Sequence, residues 1–337
     1  MELLETAEEV SDIAFGFMAS KALFTAIHFD LFTHLDRQPL DIEGAARAMG
    51  LHPDRATTLL TALTTLGLVA HEDGCYRNSP AARAFLVKGA KYDFSDYLSQ
   101  QVDRQMYGLL DQVDQAMADE LPEEAISSYA DWMADPDAAK LYSDSQHAGS
   151  LGPARTLARG VDLSAARQLL DVGGGTGAFA ITLCEAYEDL HATVIEFPNV
   201  ARLGERYAAD AGLSDRIRYR HGDLLDTDWP VDQDVVLMSY IFSSVPGETL
   251  EDLVGRAYQS LAPGGRLLVH DFMVEPEREG PKLAALWQFQ HTAFNPHAKS
   301  VDTAWASELL SSTGFADVSE RAMIPGMTSL VSGIRAA

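Results

Sequence analysis

Cysteine and long apolar runs are scarce in this 337-residue chain. The two cysteines, Cys75 and Cys184, lie in regions that we assign to different domains, which excludes a disulfide framework or a zinc ribbon. No apolar run reaches the roughly 18 residues that span a bilayer, because Lys21 and His28 interrupt the longest one. The acidic N-terminus is unlike a signal peptide. We therefore expect a reduced, cytoplasmic protein that does not enter membranes.

Positive charge is also scarce. Lysine and arginine number 25 against 50 aspartates and glutamates, which gives a formal net charge of −25. Such a chain repels nucleic acid and anionic membranes, so neither is an expected partner. The excess predicts a well-solvated acidic surface, which is also typical of proteins from salt-adapted sources.

Glycine, by contrast, is concentrated in one place. The apolar run Leu169–Val172 enters a loop with four glycines in five positions, 173–177, and 178–183 has a helical pattern. A strand, a glycine-rich turn and a helix N-terminus form a cradle for a nucleoside-bearing ligand. A second predicted strand, Ala192–Ile195, ends at Glu196, where a carboxylate can bind two ribose hydroxyls. A dinucleotide site is the alternative, but Phe179 and Ala180 stand where its third glycine would fall.

Three further strands continue this pattern. We predict the first two at 217–219 and 234–238 and the turn into the third at 261–269, alternating with helices. The fold class predicted for residues 161–337 is therefore α/β, with a mostly parallel sheet covered by helices on both faces.

The first hundred residues have a different pattern. Two short predicted helices, 42–50 and 53–66, precede a hairpin with its turn at Glu72–Gly74, which together indicate a winged helix. DNA binding is disfavoured because residues 1–100 are acidic and the second helix begins with a single cation, Arg55. The strongly apolar first 35 residues instead predict a homodimer interface. We assign 1–100 to a dimerisation domain, 101–160 to connecting helices that line a substrate pocket, and 161–337 to the nucleoside-binding domain.

This layout resembles the plant-type small-molecule O-methyltransferases and their bacterial relatives. The family joins a winged-helix dimerisation domain to a class I, Rossmann-like methyltransferase domain that uses S-adenosylmethionine, and the resemblance covers essentially the whole chain. It implies that the cofactor is bound by Asp171, Gly173, Gly175, Gly177, Glu196, Phe197, Asp223, Leu224, Met238 and Ser239. A regulator that senses S-adenosylmethionine without catalysis is the alternative from another class.

One departure from the family leaves the acceptor atom open. Many members carry a histidine general base after the fourth strand, but here its place falls near Ser243 or Ser244, which are not bases near neutral pH. Three explanations remain: oxygen methylation by positioning alone, a replacement base, or an acceptor with no proton to lose, such as a thioether sulfur. Aromatic side chains would stabilise the sulfonium product of a thioether.

The predicted substrate wall comes from two segments. We place His147 and His291 in catalytic or carboxylate-holding roles. The remaining substrate-binding candidates are Arg104, Tyr107, Tyr142, Gln146, Tyr240 and Trp287. His291 and His297, with His270 and Asp271, raise the possibility of a metal. However, a spacing of six is not a helical ligand pair and no third ligand is evident, so no metal is predicted.

The functional expectation is methyl transfer from S-adenosylmethionine to a small molecule. The missing base and the acidic composition favour S-methylation of the thioether of 4-methylthio-2-hydroxybutyrate, on the route to dimethylsulfoniopropionate, as in one group of bacterial relatives. The alternatives are O-methylation of a phenolic or polyketide substrate and C-methylation of a 2-oxo acid.

Overall fold

The computed structural model describes residues 3–122 and 129–336. The chain divides into two compact units, Met1–Gly108 and Leu109–Ala337. The separate connecting segment predicted over 101–160 remains a prediction.

The N-terminal unit is mainly helical. It contains α1 (Ala7–Ala14), α2 (Gly16–His28), α3 (Leu31–Arg37), α4 (Ile42–Met49), α5 (Pro53–Thr65), β1 (Val69–Glu72), β2 (Cys75–Asn78), α6 (Pro80–Phe85), a π-helix (Tyr97–Met106) and the short α7 (Tyr107–Leu109) at its boundary. The predicted helix–helix–hairpin pattern is present. The hairpin turn is tighter than predicted, since only Asp73 and Gly74, both with positive φ, connect the strands.

The first helix of this unit has no buried residue. Val10 and Ile13 in α1 are exposed apolar side chains, and so is Phe17 at the start of α2. Contrary to our expectation, the stretch Ala7–His28 is long and apolar enough to cross a membrane, although Glu8, Glu9, Asp12 and Lys21 interrupt it. A single helix of this kind near an N-terminus is weak evidence for a membrane span.

The C-terminal unit is built on a seven-stranded sheet. Its elements are α8 (Val113–Met117), α9 (Tyr129–Ala134), α10 (Pro136–Gly160), β3 (Gln168–Val172), α11 (Ala178–Ala186), β4 (His191–Glu196), α12 (Pro198–Asp210), β5 (Ile217–His221), β6 (Gln233–Ser239), α13 (Leu250–Ser260), β7 (Leu261–Asp271), α14 (Lys282–Phe294), α15 (Thr303–Thr313), β8 (Phe315–Ile324) and β9 (Thr328–Arg335). The strand order is β5-β4-β3-β6-β7-β9-β8. All pairings are parallel except those of β9, which confirms the predicted mixed, mostly parallel sheet.

The strand order positions the candidate site. The chain leaves β3 for β4 on one side and later returns with β6 on the other, so Asp171 pairs with both Val194 and Leu237. In open sheets a crevice forms at the carboxyl ends of strands where the order reverses. The glycine-rich loop after β3 and the segment 239–246 after β6 both start at this edge.

Candidate functional site

The glycine-rich loop follows β3 in a conformation that L side chains rarely adopt. Gly173, Gly175 and Gly177 have φ values of 62°, 58° and 76°. A Cβ on Gly173 would lie 2.5 Å from Ile241 Cδ1, whereas a Cβ on Gly175 would meet nothing within 4 Å. The loop is therefore packed tightly at its start and open at its middle.

The Glu196 carboxylate ties the end of β4 to this loop. Oε2 accepts a hydrogen bond from the Gly175 amide at 2.8 Å, and Oε1 accepts one from the Phe197 amide at 2.7 Å. Burial raises the pKa of Glu196, and these amides oppose the rise.

A second carboxylate lies beneath the loop. Asp171 is 1% exposed, and neither of its oxygens has a hydrogen-bond partner of normal geometry among the described residues. Burial, and then the nearby Glu196 charge, raises the pKa of Asp171. A buried Asp171 carboxylate without compensation, near the Glu196 charge, favours a ligand that brings positive charge or hydrogen-bond donors.

An acidic loop follows β5. Asp223 Oδ1 accepts a hydrogen bond from the Leu225 amide at 2.9 Å, which closes a local turn. Arg256 on α13 donates to the carbonyls of Leu224, Leu225 and Thr227, and its guanidinium lies 4.7 Å from the centre of the Trp229 ring. The loop that carries Asp223 and Leu224 is therefore held in place from α13.

The end of β6 lies against a buried histidine. Met238 is fully buried, and Ser239 Oγ lies 2.9 Å from His270 Nδ1, whose Nε2 lies 2.9 Å from Thr328 Oγ1. Burial lowers the pKa of His270 to about 3, so the ring is neutral. Next along the chain, Tyr240 has a φ of 62°, which is unusual for an aromatic residue and is found at functional sites.

Ser243 is one of the two serines near which the family's base was expected. It is buried, its Oγ donates to Asp271 Oδ1 at 2.7 Å, and its amide donates to Asp271 Oδ2 at 3.1 Å. The Phe272 amide also donates to Asp271, at 2.8 Å. These hydrogen bonds tie the segment after β6 to the end of β7, and the Ser243 hydroxyl is a hydrogen-bond donor in them.

Aromatic rings form two groups beside this segment, which together we name the aromatic cluster. Its members are Tyr129, Trp132, Tyr142, Tyr240, Phe272, Trp287 and Phe294. Phe272 stacks on Trp287 with ring centres 4.2 Å apart, and Phe294 meets Tyr129 at 4.6 Å. Burial raises the pKa of Tyr142, whose hydroxyl accepts from Gln146 Nε2 at 3.1 Å. Of these rings, sequence analysis singled out Tyr142, Tyr240 and Trp287.

His291 joins the two halves of the aromatic cluster. Its ring lies 5.9 Å from that of Trp287 and 6.4 Å from that of Phe294. Burial lowers its pKa to about 4, and its buried Nδ1 has no hydrogen-bond partner among the described residues. One turn further, Asn295 Nδ2 donates to the Ser244 carbonyl at 3.2 Å, which holds the end of α14 against the segment after β6. A neutral histidine with an unsatisfied nitrogen among aromatic rings can accept a hydrogen bond from a polar group of a ligand.

The other predicted side chains lie in different surroundings. His147 Nδ1 lies 2.7 Å from Thr176 Oγ1 in the glycine-rich loop, and its ring stacks on Tyr207 rather than on the aromatic cluster. Arg104 and Tyr107 belong to the N-terminal unit, where Tyr107 packs against Phe24 and donates to the Phe17 carbonyl. Their contact with a substrate stays a prediction.

Several side chains at the site gave no usable signal in the sequence. Tyr129, Trp132, Phe272 and Phe294 are isolated aromatics in helices or at a strand end, a pattern that ordinary core residues share. In the described ranges 3–122 and 129–336, no group of three or more histidines, cysteines or acidic residues is arranged to hold a metal ion. His297, part of the metal hypothesis, is exposed.

Comparisons with known proteins agree with this architecture. The O-methyltransferase domain family matches residues 109–316, and the O-methyltransferase dimerisation domain matches residues 11–88. The chain is 30% identical over 329 residues to 3-hydroxy-5-methyl-1-naphthoate 3-O-methyltransferase of Streptomyces sahachiroi, covering 97% of this chain and 95% of the relative. It is 28% identical over 329 residues to the tetracenomycin polyketide synthesis 8-O-methyl transferase TcmO of Streptomyces glaucescens, covering 96% of each.

A solved structure shows the same fold. Human N-acetylserotonin methyltransferase in complex with SAM superposes with a TM-score of 0.86 over 100% of both chains, at 21% sequence identity.

Proposed function

The chain belongs to the O-methyltransferase family and is an S-adenosylmethionine-dependent methyltransferase, and we propose that it methylates a phenolic hydroxyl of an aromatic, polyketide-type small molecule. The observation that carries the proposal is the unsatisfied, buried Nδ1 of His291 within the aromatic cluster. Flat rings pack favourably on such walls, and a ring hydroxyl would satisfy the nitrogen. The two Streptomyces relatives, named for a hydroxynaphthoate and for tetracenomycin polyketide synthesis, support the same substrate class.

The residues at the sheet edge fit S-adenosylmethionine. The open space at Gly175 admits a ligand against the backbone, Glu196 offers acceptors for ribose hydroxyls, and the uncompensated Asp171 carboxylate favours a cation. We propose that the remaining contacts come from Gly173, Gly177, Phe197, Asp223, Leu224, Met238 and Ser239. Bound there, S-adenosylmethionine supplies a methyl group on a positively charged sulfur.

In this proposal, His291 replaces the family's base. The phenol oxygen becomes strongly acidic as it gains the methyl group, so a weak base is sufficient to remove its proton. Nδ1 of the neutral His291 takes that proton, while the stack of Phe272 on Trp287 orients the ring of the acceptor. Ser243 is not the base, because a serine hydroxyl is too weakly basic near neutral pH to hold a proton, and here it donates its own hydrogen to Asp271.

S-methylation of a thioether is the second candidate. The names of the relatives above do not support 4-methylthio-2-hydroxybutyrate as the substrate. One observation favours it, namely that Ser243 offers no base and a thioether has no proton to lose. The aromatic cluster would also stabilise a sulfonium product. C-methylation of a 2-oxo acid stays a third prediction.

The test is S-adenosylhomocysteine release by the purified protein with S-adenosylmethionine and, in parallel, a hydroxynaphthoate, a catechol and 4-methylthio-2-hydroxybutyrate. The proposal expects turnover on at least one of the two phenols. Turnover on the thioether alone would overturn O-methylation and establish sulfur as the nucleophile.

We also propose that the chain acts as a cytoplasmic homodimer. It carries a dimerisation domain, and the exposed apolar residues of α1 and α2 are the surface that a second copy would cover. In this proposal, burial between two copies accounts for the apolar character of Ala7–His28 without a membrane.

A further inference from the structure

Four side chains from three elements meet behind the glycine-rich loop. Thr176, in the loop, is 4% exposed, and its Oγ1 lies 2.7 Å from His147 Nδ1. The His147 ring stacks on Tyr207 of α12 with centres 4.0 Å apart and planes 21° from parallel. The Tyr207 hydroxyl in turn donates to Asp144 Oδ1 at 3.0 Å. The loop is thus linked to α10 and α12 through one imidazole.

Helix α10 presents two polar faces with different neighbours. Tyr142 and Gln146, one turn apart, hydrogen-bond to each other, and Tyr142 also packs on Trp132 in the aromatic cluster. Asp144 and His147, also about one turn apart, face Tyr207 and Thr176 instead. The same helix therefore contacts the aromatic cluster and the glycine-rich loop with separate residues.

The backbone of the glycine-rich loop needs a restraint from outside the loop. Its three glycines with positive φ give the backbone many alternative conformations, and within 174–177 the backbone bond from the Gly177 amide to the Gly174 carbonyl holds the turn. Thr176 is the one residue there with a side chain, so a bond to its hydroxyl restrains the amides around it directly. Among these amides, Gly175 N donates to Glu196.

We propose that His147 is a positioning residue for the donor side of the site: its bond to Thr176 and its stack on Tyr207 hold the glycine-rich loop in the conformation that binds S-adenosylmethionine. This role replaces the substrate contact predicted for His147 from the sequence. The inference rests on the proposed function only in that this loop holds the methyl donor, and it is independent of which acceptor atom is methylated.

The experiment measures S-adenosylhomocysteine binding to the full-length protein by isothermal titration calorimetry. His147→Phe keeps a ring to stack on Tyr207 but removes the hydrogen bond, and Thr176→Val removes the same bond from the other side. Each should weaken binding about tenfold, as expected for one lost buried hydrogen bond. Thr176→Ser, which keeps the hydroxyl, is the matched control and should bind as the wild type does.

Two further readouts separate positioning from general damage. The double variant should bind no more weakly than either single variant, because both remove one shared bond. The KM for S-adenosylmethionine should rise while the KM for the methyl acceptor stays the same. A rise in the acceptor KM without weaker S-adenosylhomocysteine binding, additive losses, or wild-type binding by Thr176→Val would each overturn the inference. If His147→Phe does not fold, the two Thr176 variants decide the result alone. Failure of every phenol as a substrate would leave this binding result intact.

Discussion

A histidine in water titrates near pH 6.5, but burial lowers the pKa of His291 to about 4. The imidazole is therefore neutral at all pH values above about 5, and its capacity to accept a proton does not change between pH 5 and pH 8. With a phenolic substrate, we expect kcat to show no histidine limb in this range. A pH profile of kcat checks this. A tenfold rise per pH unit toward pH 10 would instead mean that the substrate ionises without His291.

Substitution of His291 tests its proposed role in proton transfer directly. His291→Phe keeps a ring between Trp287 and Phe294 but removes the acceptor nitrogen, so kcat on a phenol should fall about a hundredfold with little change in KM. Trp287→Phe is the matched control, because it reduces packing on Phe272 without removing an acceptor, and should change KM more than kcat. An unchanged kcat for His291→Phe would remove His291 from proton transfer.

Ionisation of Asp171 and Glu196 should make the affinity for S-adenosylmethionine depend on pH. Burial raises the pKa of both carboxyls in the free protein, so each holds its proton to higher pH than an ordinary carboxyl does. A cationic ligand with ribose donors favours their ionised forms, so binding releases protons where they are still partly protonated. Affinity for S-adenosylmethionine should therefore rise with pH from about 5 and level off once both are ionised.

Calorimetry in two buffers of different ionisation enthalpy measures the released protons directly. Glu196→Gln should reduce the number released and weaken binding. Identical apparent enthalpies in both buffers at pH 6 would contradict the predicted linkage.

At the scale of an element, two glycines of the glycine-rich loop should contribute to different properties, one to thermal stability and the other to ligand binding. Gly173 and Gly175 have nearly the same φ, so alanine costs similar backbone strain at both, roughly 1 kcal/mol. Only at Gly173 would the new Cβ also collide with Ile241, at 2.5 Å. Gly173→Ala should therefore lower the Tm more than Gly175→Ala.

Gly175→Ala should mainly weaken S-adenosylhomocysteine binding, because its Cβ enters the open space that we assign to the ligand. Thermal melting and calorimetry on the two variants measure the two effects separately. If both variants lose the same Tm and the same affinity for S-adenosylhomocysteine, Gly173 and Gly175 do not have these different roles.

At the scale of the whole molecule, the exposed apolar surface of α1 and α2 determines the expected assembly. Ile13 is 66% exposed and Phe17 is 52% exposed, although both are large and apolar. Ile13→Lys together with Phe17→Asp should convert a dimer into a monomer at micromolar concentration, since burying either charge without a partner is costly. Leu66→Lys, at the end of α5 in the same unit, is the control and should remain dimeric. Analytical ultracentrifugation measures the mass, and a monomeric wild type would contradict the dimer proposal.

The sequence by itself determined the architecture and predicted where the methyl donor binds. Local patterns carry that information: alternating strands and helices, a glycine run whose conformation excludes other side chains, and an acid at the next strand end. The structure confirms the strands predicted at 192–195, 217–219 and 234–238, each extended by one or more residues, and β7 begins at Leu261, where the turn into a further strand was predicted. These features need only nearby residues, so a single sequence was sufficient to predict them.

Tertiary structure alone decided which polar side chains share a neighbourhood. His147 and His291 are equivalent from the sequence, since each lies in a helical segment with polar and aromatic neighbours. The fold places one against Thr176 and the other between Trp287 and Phe294. Likewise, Ser243 follows the end of β6 by four residues and Asp271 ends β7, and they become adjacent because β6 pairs with β7. Contacts across the sheet depend on strand order, helix rotation and burial, and the residue pattern along one strand or helix does not specify these.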